Sequence, residues 1–139
     1  MRDIKELDRV VAETDAWIDD LAKRVGWRDR DKAYAAFVGA LHGLRDALPR
    51  EEAVYVGAQL PLLLRGLYYE GWRPGAHRSA QSLDAFCARI HEAVGHDPGI
   101  EPEAVARAVL ALLAASLAPS EVEDAIAATP RSLRALWPS

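Results

Sequence analysis

The chain of 139 residues is 50% hydrophobic and 27% charged, which is the balance of a globular domain and excludes a disordered or fibrous protein. Its formal net charge of −4 argues against a nucleic-acid-binding protein, because such proteins hold phosphates through clustered Lys and Arg. Cys87 is the single cysteine, so an intramolecular disulfide and a thiolate metal cluster are excluded.

Neither a leader nor a membrane segment is predicted. Residues 1–20 contain seven acidic residues, whereas a signal peptide begins with positive charge and continues with an apolar stretch. The longest apolar stretch, Ala108–Ala118, is shorter than the roughly 20 residues that cross a bilayer. We therefore expect a cytoplasmic protein without a membrane partner.

Helical periodicity runs through the first half of the chain. Apolar residues recur every three or four positions, and no alternating strand pattern competes with them. Gly26 has the position of a left-handed helix cap, Asp29 can cap the next helix, and Pro61 suits a first helical turn. The pattern predicts four helices: residues 4–25, residues 30–48, residues 50–60, and a helix that begins at Pro61.

The second half repeats this order after a linker over residues 71–82, which is rich in Gly, Pro, Ser and His. One helix ends at Val94, the next runs over Pro102–Ala118, a short one follows Pro119, and the last begins at Pro130. Ser120 and Glu123 have the spacing of a capping box for the short helix.

A shift of about 69 positions superposes the two halves without a gap. The matched positions are Val25-Gly26 with Val94-Gly95, Glu52 with Glu121, Pro61 with Pro130, Leu64-Arg65 with Leu133-Arg134, and Tyr68 with Trp137. The sequence therefore predicts an all-α, compact helical bundle made of two tandem pseudo-symmetric four-helix repeats. The units span about 12–72 and 81–139 within a single domain, residues 1–139.

One segment carries a family resemblance. The run Leu60–Trp72 (LPLLLRGLYYEGW), preceded by Leu41–Pro49 and Gly57–Gln59, resembles the bacterial domain of unknown function 2267. The resemblance extends from about Trp17 to the end of the chain. It implies a small helical bacterial protein of undetermined role, and it supplies no catalytic residue, substrate or cofactor.

A Glu and an Arg recur at matched positions, Glu52 with Arg65 and Glu121 with Arg134. Recurrence in both units indicates a structural role, since packing devices survive duplication better than active sites do. We expect a partly buried Glu–Arg bridge in each unit, which would hold the third helix against the fourth.

The aromatic residues Tyr68, Tyr69 and Trp72 are the leading candidates for a partner or ligand surface, because Tyr and Trp combine an apolar body with a polar tip. They could equally belong to the core and seal one end of the bundle. Together with Gln59 and His42, they could line a pocket between the repeats.

The histidines do not predict a metal site. His91 and His96 are five positions apart with Gly95 between them, so they would not share one face of a helix, and no HExxH pattern is present among His42, His77 and the others. Cys87 falls at an apolar position and is expected to be a buried, unreactive thiol.

These features favour a non-catalytic protein-interaction or scaffolding module, acting on a protein partner or by self-association. Its contact surface would be residues 69–72 or the Ala-rich helix over Val105–Ala118. A small-molecule binding protein or an enzyme with a pocket between the repeats is the alternative. No cofactor, metal or nucleic acid is expected.

Overall fold

The computed structural model describes residues 4–74 and 82–139. Seven α-helices and one 3₁₀ helix make up the regular structure of these residues, and no strand occurs among them, which confirms the predicted all-helical class. The helices are α1 (Lys5–Val25), α2 (Arg30–Ala47), α3 (Arg50–Ala58), α4 (Leu62–Tyr69), α5 (Leu83–Ala93), α6 (Pro102–Ser116), α7 (Pro119–Ala128) and the 3₁₀ helix (Arg131–Leu136).

The helix ends follow the local signals in the sequence. Gly26 ends α1 with φ of 74°, a left-handed conformation that glycine adopts without steric cost, and the Asp29 carboxylate caps α2 by accepting from the Lys32 N–H. The predicted capping box is not formed, because α7 begins at Pro119 and Ala118 occupies its N-cap position.

Helix α2 lies at the centre of the molecule and contacts α1, α3, α4, α5 and α6. Its glycines allow α5 to approach closely: a Cβ built on Gly39 would lie 2.6 Å from the Ala93 Cβ, and one on Gly43 would lie 3.3 Å from the Phe86 ring. The core spreads from this contact through large side chains that are almost fully buried, namely Phe37, Leu41, Leu44, Leu64, Tyr68, Phe86, Ile90, Leu110 and Leu113.

The apolar face of α6 belongs to this core. Val105, Val109 and Leu113 are among its buried residues, together with Ala106, Leu110 and Leu112. The valine and leucine side chains of this helix are therefore not available as a contact surface. None of the helices in the described residues is both long and apolar enough to cross a bilayer.

The last helix differs between the two halves. Residues 62–69 form an α-helix, whereas the matched residues 131–136 form a short 3₁₀ helix. Pro138 gives a physical reason, because a proline disfavours helical backbone at the residue before it, and Trp137 is accordingly extended, with ψ of 147°. Most of the predicted linker, residues 75–81, lies outside the described residues.

Candidate functional site

A shallow groove lies where α1, the start of α2 and α4 meet. Its volume is about 240 Å³, and its apolar lining comes from Val11 and Ile18 of α1, Tyr34 of α2 and Leu63 of α4. We call it the α1–α4 groove. It places apolar side chains from three helices in a concavity that faces solvent.

Exposed apolar residues extend this groove across the surface. Leu7 and Val11 lie four positions apart on α1, and Ile4 is the N-cap residue just before the helix, so the three residues form a stripe, and each is more than half exposed. Leu62 is 60% exposed and precedes Leu63 of the groove. The α1–α4 surface is defined by Ile4, Leu7, Val11, Tyr34, Leu62 and Leu63.

Charged side chains border the groove. Arg30 binds two carboxylates of α1, with its Nη2 2.9 Å from Asp15 and its Nε 2.7 Å from Asp19. The hydrogen bond to Asp15 and the second carboxylate raise the pKa of Arg30. Because Arg30 is the first residue of α2, these bonds hold the start of that helix against α1.

The aromatic residues divide between core and surface. Tyr68 is fully buried and donates from its hydroxyl to the Ala53 carbonyl at 2.7 Å, so it anchors α4 to α3. Tyr69 donates to the Val54 carbonyl at 3.1 Å and stacks on Trp72, with ring centroids 5.6 Å apart. Of the three predicted surface residues, Tyr69 and Trp72 are half-buried, and Tyr68 belongs to the core.

His42 and Gln59 bind backbone at two different places. The Nε2 of His42 lies 2.7 Å from the Leu67 carbonyl near the end of α4, and burial lowers the pKa of its ring. It lines a hollow of about 220 Å³ between α2 and α5. Gln59 instead accepts from the Ala118 N–H at the start of α7, at 3.0 Å.

A charged network that the sequence pattern does not predict holds the end of α4. Arg45 of α2 is 3% exposed, and its Nη1 donates to the carbonyls of Tyr68 and Glu70 at 3.0 and 2.8 Å. The rest of its guanidinium binds Asp46, which also pairs with Arg89 of α5 at 2.7 Å. The Arg45 cluster, defined as Arg45, Asp46 and Arg89, therefore joins α2, α4 and α5. Periodicity cannot reveal it, since a buried arginine in an amphipathic helix reads as surface.

The repeated arginines bind carbonyls. Arg65 Nη2 donates to Ala58 and Leu60, each at 3.1 Å. Arg134 donates from Nη2 to Ala127 at 3.0 Å and from Nε to Thr129 at 2.9 Å. Within residues 4–74 and 82–139, no ion pair joins either arginine to the glutamate of its own unit, although each arginine does hold the junction between the third and fourth helices.

The matched glutamates meet each other. The carboxyls of Glu52 of α3 and Glu121 of α7 lie close enough for Glu52 to raise the pKa of Glu121, and the Oε2 atom of each carboxyl is buried without a hydrogen-bond partner. Burial, followed by the neighbouring Glu52, raises the pKa of Glu121 to about 8. One carboxyl of this pair therefore holds a proton at neutral pH.

His91 and His96 do come together, contrary to the prediction from their spacing. Their Nδ1 atoms are 3.3 Å apart and their rings meet edge to face. The half-buried thiol of Cys87 lies one turn before His91, and burial raises its pKa. His77 lies outside the described residues.

The fold and these contacts define a small all-helical protein in which buried polar side chains hold helix ends and an apolar groove faces solvent. The chain belongs to the family described as "Uncharacterized conserved protein (DUF2267)", whose family model matches residues 14–136. The resemblance found in the sequence is thereby confirmed. A comparison with curated proteins finds no match.

Proposed function

We propose that the protein is a non-catalytic interaction module that self-associates through the α1–α4 surface. The observation that carries this proposal is the exposure of its large apolar side chains, which runs from 40% at Leu63 to 60% at Leu62. Contiguous exposed apolar surface with a charged border is typical of protein contact sites. The buried polar side chains, by contrast, are used to hold helix ends and leave the groove largely apolar.

We infer that the occupant of this surface is a second copy of the chain. The exposed stripe and the groove lie on one face, so two copies related by two-fold symmetry would each cover the apolar side chains of the other. The charges that border the contact are those at the groove, where Arg30 pairs with Asp15 and Asp19, so each copy brings both signs of charge to the rim of the apolar surface.

The proposal includes the two-repeat architecture predicted from the sequence. It is supported by the equivalent bonds of Arg65 and Arg134, whose acceptors are also 69 positions apart. It is supported too by the contact between Glu52 and Glu121, since equivalent residues meet each other only near a two-fold axis. The dimer would then add a second two-fold axis, between chains, to the one that relates the two repeats within each chain.

The oligomeric state tests this function. We expect light scattering after size exclusion to show a mass that rises from monomer to dimer with concentration. Leu7→Glu and Leu63→Glu should each keep the protein monomeric, because a charge at the contact would be buried without a partner. Tyr55→Glu is the matched control, since Tyr55 is 55% exposed but lies on α3, outside the surface.

Two outcomes would refute the self-association. The parent protein could remain a monomer at every concentration, which would leave a different protein as the occupant of the surface. Alternatively, Tyr55→Glu could dissociate the dimer as fully as Leu63→Glu does. The dimer interface would then include a face other than the α1–α4 surface. Circular dichroism of each variant separates loss of association from loss of fold.

A further inference from the structure

We propose that His91 and His96 form a two-histidine site for a divalent transition cation such as Zn²⁺, Ni²⁺ or Cu²⁺. Water would complete the coordination. The site lies at the end of α5 and is independent of the α1–α4 surface, so neither proposal depends on the other.

The backbone at the end of α5 creates the pair. Gly95 and His96 both have left-handed backbone, with φ of 68° and 59°, so the chain reverses direction directly after the helix. The His96 N–H then donates to the His91 carbonyl at 2.8 Å, which closes the reversal. His96 is consequently folded back onto His91, although five positions separate the two residues.

The separation of the two ring nitrogens suits a tetrahedral metal. Zn²⁺ binds imidazole nitrogen at about 2.0–2.1 Å, so two such bonds at a tetrahedral angle put the nitrogens about 3.3–3.4 Å apart. The two Nδ1 atoms are 3.3 Å apart. The rings therefore need little movement to replace their mutual contact with two bonds to one cation.

The ligand chemistry selects the class of cation. Imidazole favours Zn²⁺, Ni²⁺ and Cu²⁺, whereas Mg²⁺ and Ca²⁺ require oxygen ligands. No group of three His, Cys, Asp or Glu able to hold a metal occurs in the part of the chain that the structure describes. The site is accordingly an open one, at which bound water or a ligand from another molecule takes the remaining positions.

The neighbouring groups are engaged elsewhere. Asp97 accepts from the Gly99 N–H at 2.8 Å and lies 3.5 Å from the Lys32 ammonium, so both of its oxygens have partners while its charge lies near the site. Cys87 borders a hollow with His91, but its thiol is half-buried. These contacts leave the two imidazoles as the ligands.

Calorimetric titration with ZnCl₂ tests the site on the full chain. The parent should bind one Zn²⁺ per chain in a saturable way, and MgCl₂ should give no such signal. His91→Gln and His96→Asn should each abolish saturable Zn²⁺ binding; Asn is chosen at position 96 because it tolerates the left-handed backbone better than most residues do. Cys87→Ser is the matched control and should bind as the parent does.

Three results would overturn the proposal: no saturable binding to the parent, undiminished binding in either histidine variant, or loss of binding in Cys87→Ser alone. Heteronuclear NMR of the parent keeps the test valid if a variant fails to fold. Zn²⁺ should shift the Nδ1 resonances of His91 and His96 and leave that of His42 in place, and an unchanged pair would contradict the site.

Discussion

Arg45 carries a buried charge that is bound by groups of the protein itself. At 3% exposure its guanidinium has left water, and it is compensated by two carbonyls at the end of α4 and by the carboxylate of Asp46. A point charge could not satisfy these acceptors together, because only the planar fork of arginine presents donors in several fixed directions. The residue therefore acts as a C-terminal cap supplied by another helix.

Replacing Arg45 should show this role. Arg45→Met leaves the carbonyls of Tyr68 and Glu70 without their donor and removes one of the two partners of Asp46. We expect the free energy of unfolding to fall by about 3 kcal/mol, as when one member of a buried pair is removed. Urea denaturation measures the loss, and the exposed Arg9→Met should change stability by no more than about 0.5 kcal/mol. Equal costs for both substitutions would contradict the assigned role.

The Glu52–Glu121 pair makes stability depend on pH. The folded pKa of Glu121 is raised to about 8 from an ordinary value of 4.5, first by burial and then by Glu52, with Asp124 adding to it. Between these two pH values the folded protein keeps a proton that the unfolded chain has released, so the free energy of unfolding falls as the pH rises. Below 4.5 the contribution of this group is constant, and above 8 its loss is complete.

Glu121→Gln should remove that dependence. A neutral amide can donate to Glu52 without ionising, so we expect the variant to be close to the parent in stability near pH 5 and to exceed it at pH 9 by a few kcal/mol, on the order of 3–4 for a pKa raised from 4.5 to about 8. Denaturation midpoints across this range measure the effect. Glu123→Gln, an exposed position on the same helix, is the control. A parallel pH profile for Glu121→Gln and the parent would rule out the shared proton.

At the scale of single helices, some glycines lie at a close contact between two helices and others lie on open surface. Gly39 and Gly66 are both inside helices, but a Cβ on Gly39 would meet the Ala93 Cβ at 2.6 Å, whereas one on Gly66 would meet no atom within 4 Å. Replacing glycine with alanine should therefore change the free energy of unfolding in opposite directions at these two positions.

We expect Gly39→Ala to lower the free energy of unfolding by about 1–3 kcal/mol, because α2 and α5 must move apart to admit the methyl group. Gly66→Ala should raise it by about 0.5–1 kcal/mol, since alanine loses less backbone entropy in a helix. Urea denaturation of both variants provides the comparison, each serving as the control for the other. Two changes of the same sign would contradict the packing described for α2.

The sequence predicts helix positions better than it predicts what covers each helix. Gly26, Gly95 and Pro61 mark ends that depend on local backbone geometry, and those ends are where the patterns place them. Exposure depends on neighbours from elsewhere in the chain. The stripe of Ile4 and Leu7 has the same period as the buried face of α1, and only its lack of a covering element makes it surface.

Side-chain partners were the least predictable feature of the candidate sites. The spacing argument separates His91 from His96 because it assumes that the helix continues, whereas two left-handed residues turn the chain back. Similarly, the matched glutamates and arginines indicate a repeated role. The sequence pattern does not predict, however, that Glu52 and Glu121 contact each other. Predicting such contacts requires the relative positions of the helices, and the periodicity of the sequence does not contain them.

At the scale of the whole molecule, the second half supplies the core on which the first half depends. Phe86 and Ile90 of α5 are buried against α2, with the Phe86 ring close to Gly43. Removing α5 would uncover the face of α2 that carries this contact. We therefore expect the chain to unfold as one cooperative domain, although its sequence predicts two repeated units.

Tryptophan fluorescence can test this cooperativity, because Trp17, Trp27 and Trp72 lie in the first half and Trp137 in the second. In Trp137→Phe, fluorescence reports only the first half, whereas circular dichroism reports all the helices, so coincident urea transitions are expected from a single domain. Adding Phe86→Ala should lower the stability seen by both probes by the same amount, about 3–5 kcal/mol, since the cavity lies in a shared core. If the fluorescence midpoint stayed in place while the helical signal was lost in two steps, the halves would be separate folding units. The core around α2 would then hold the halves together without making either depend on the other.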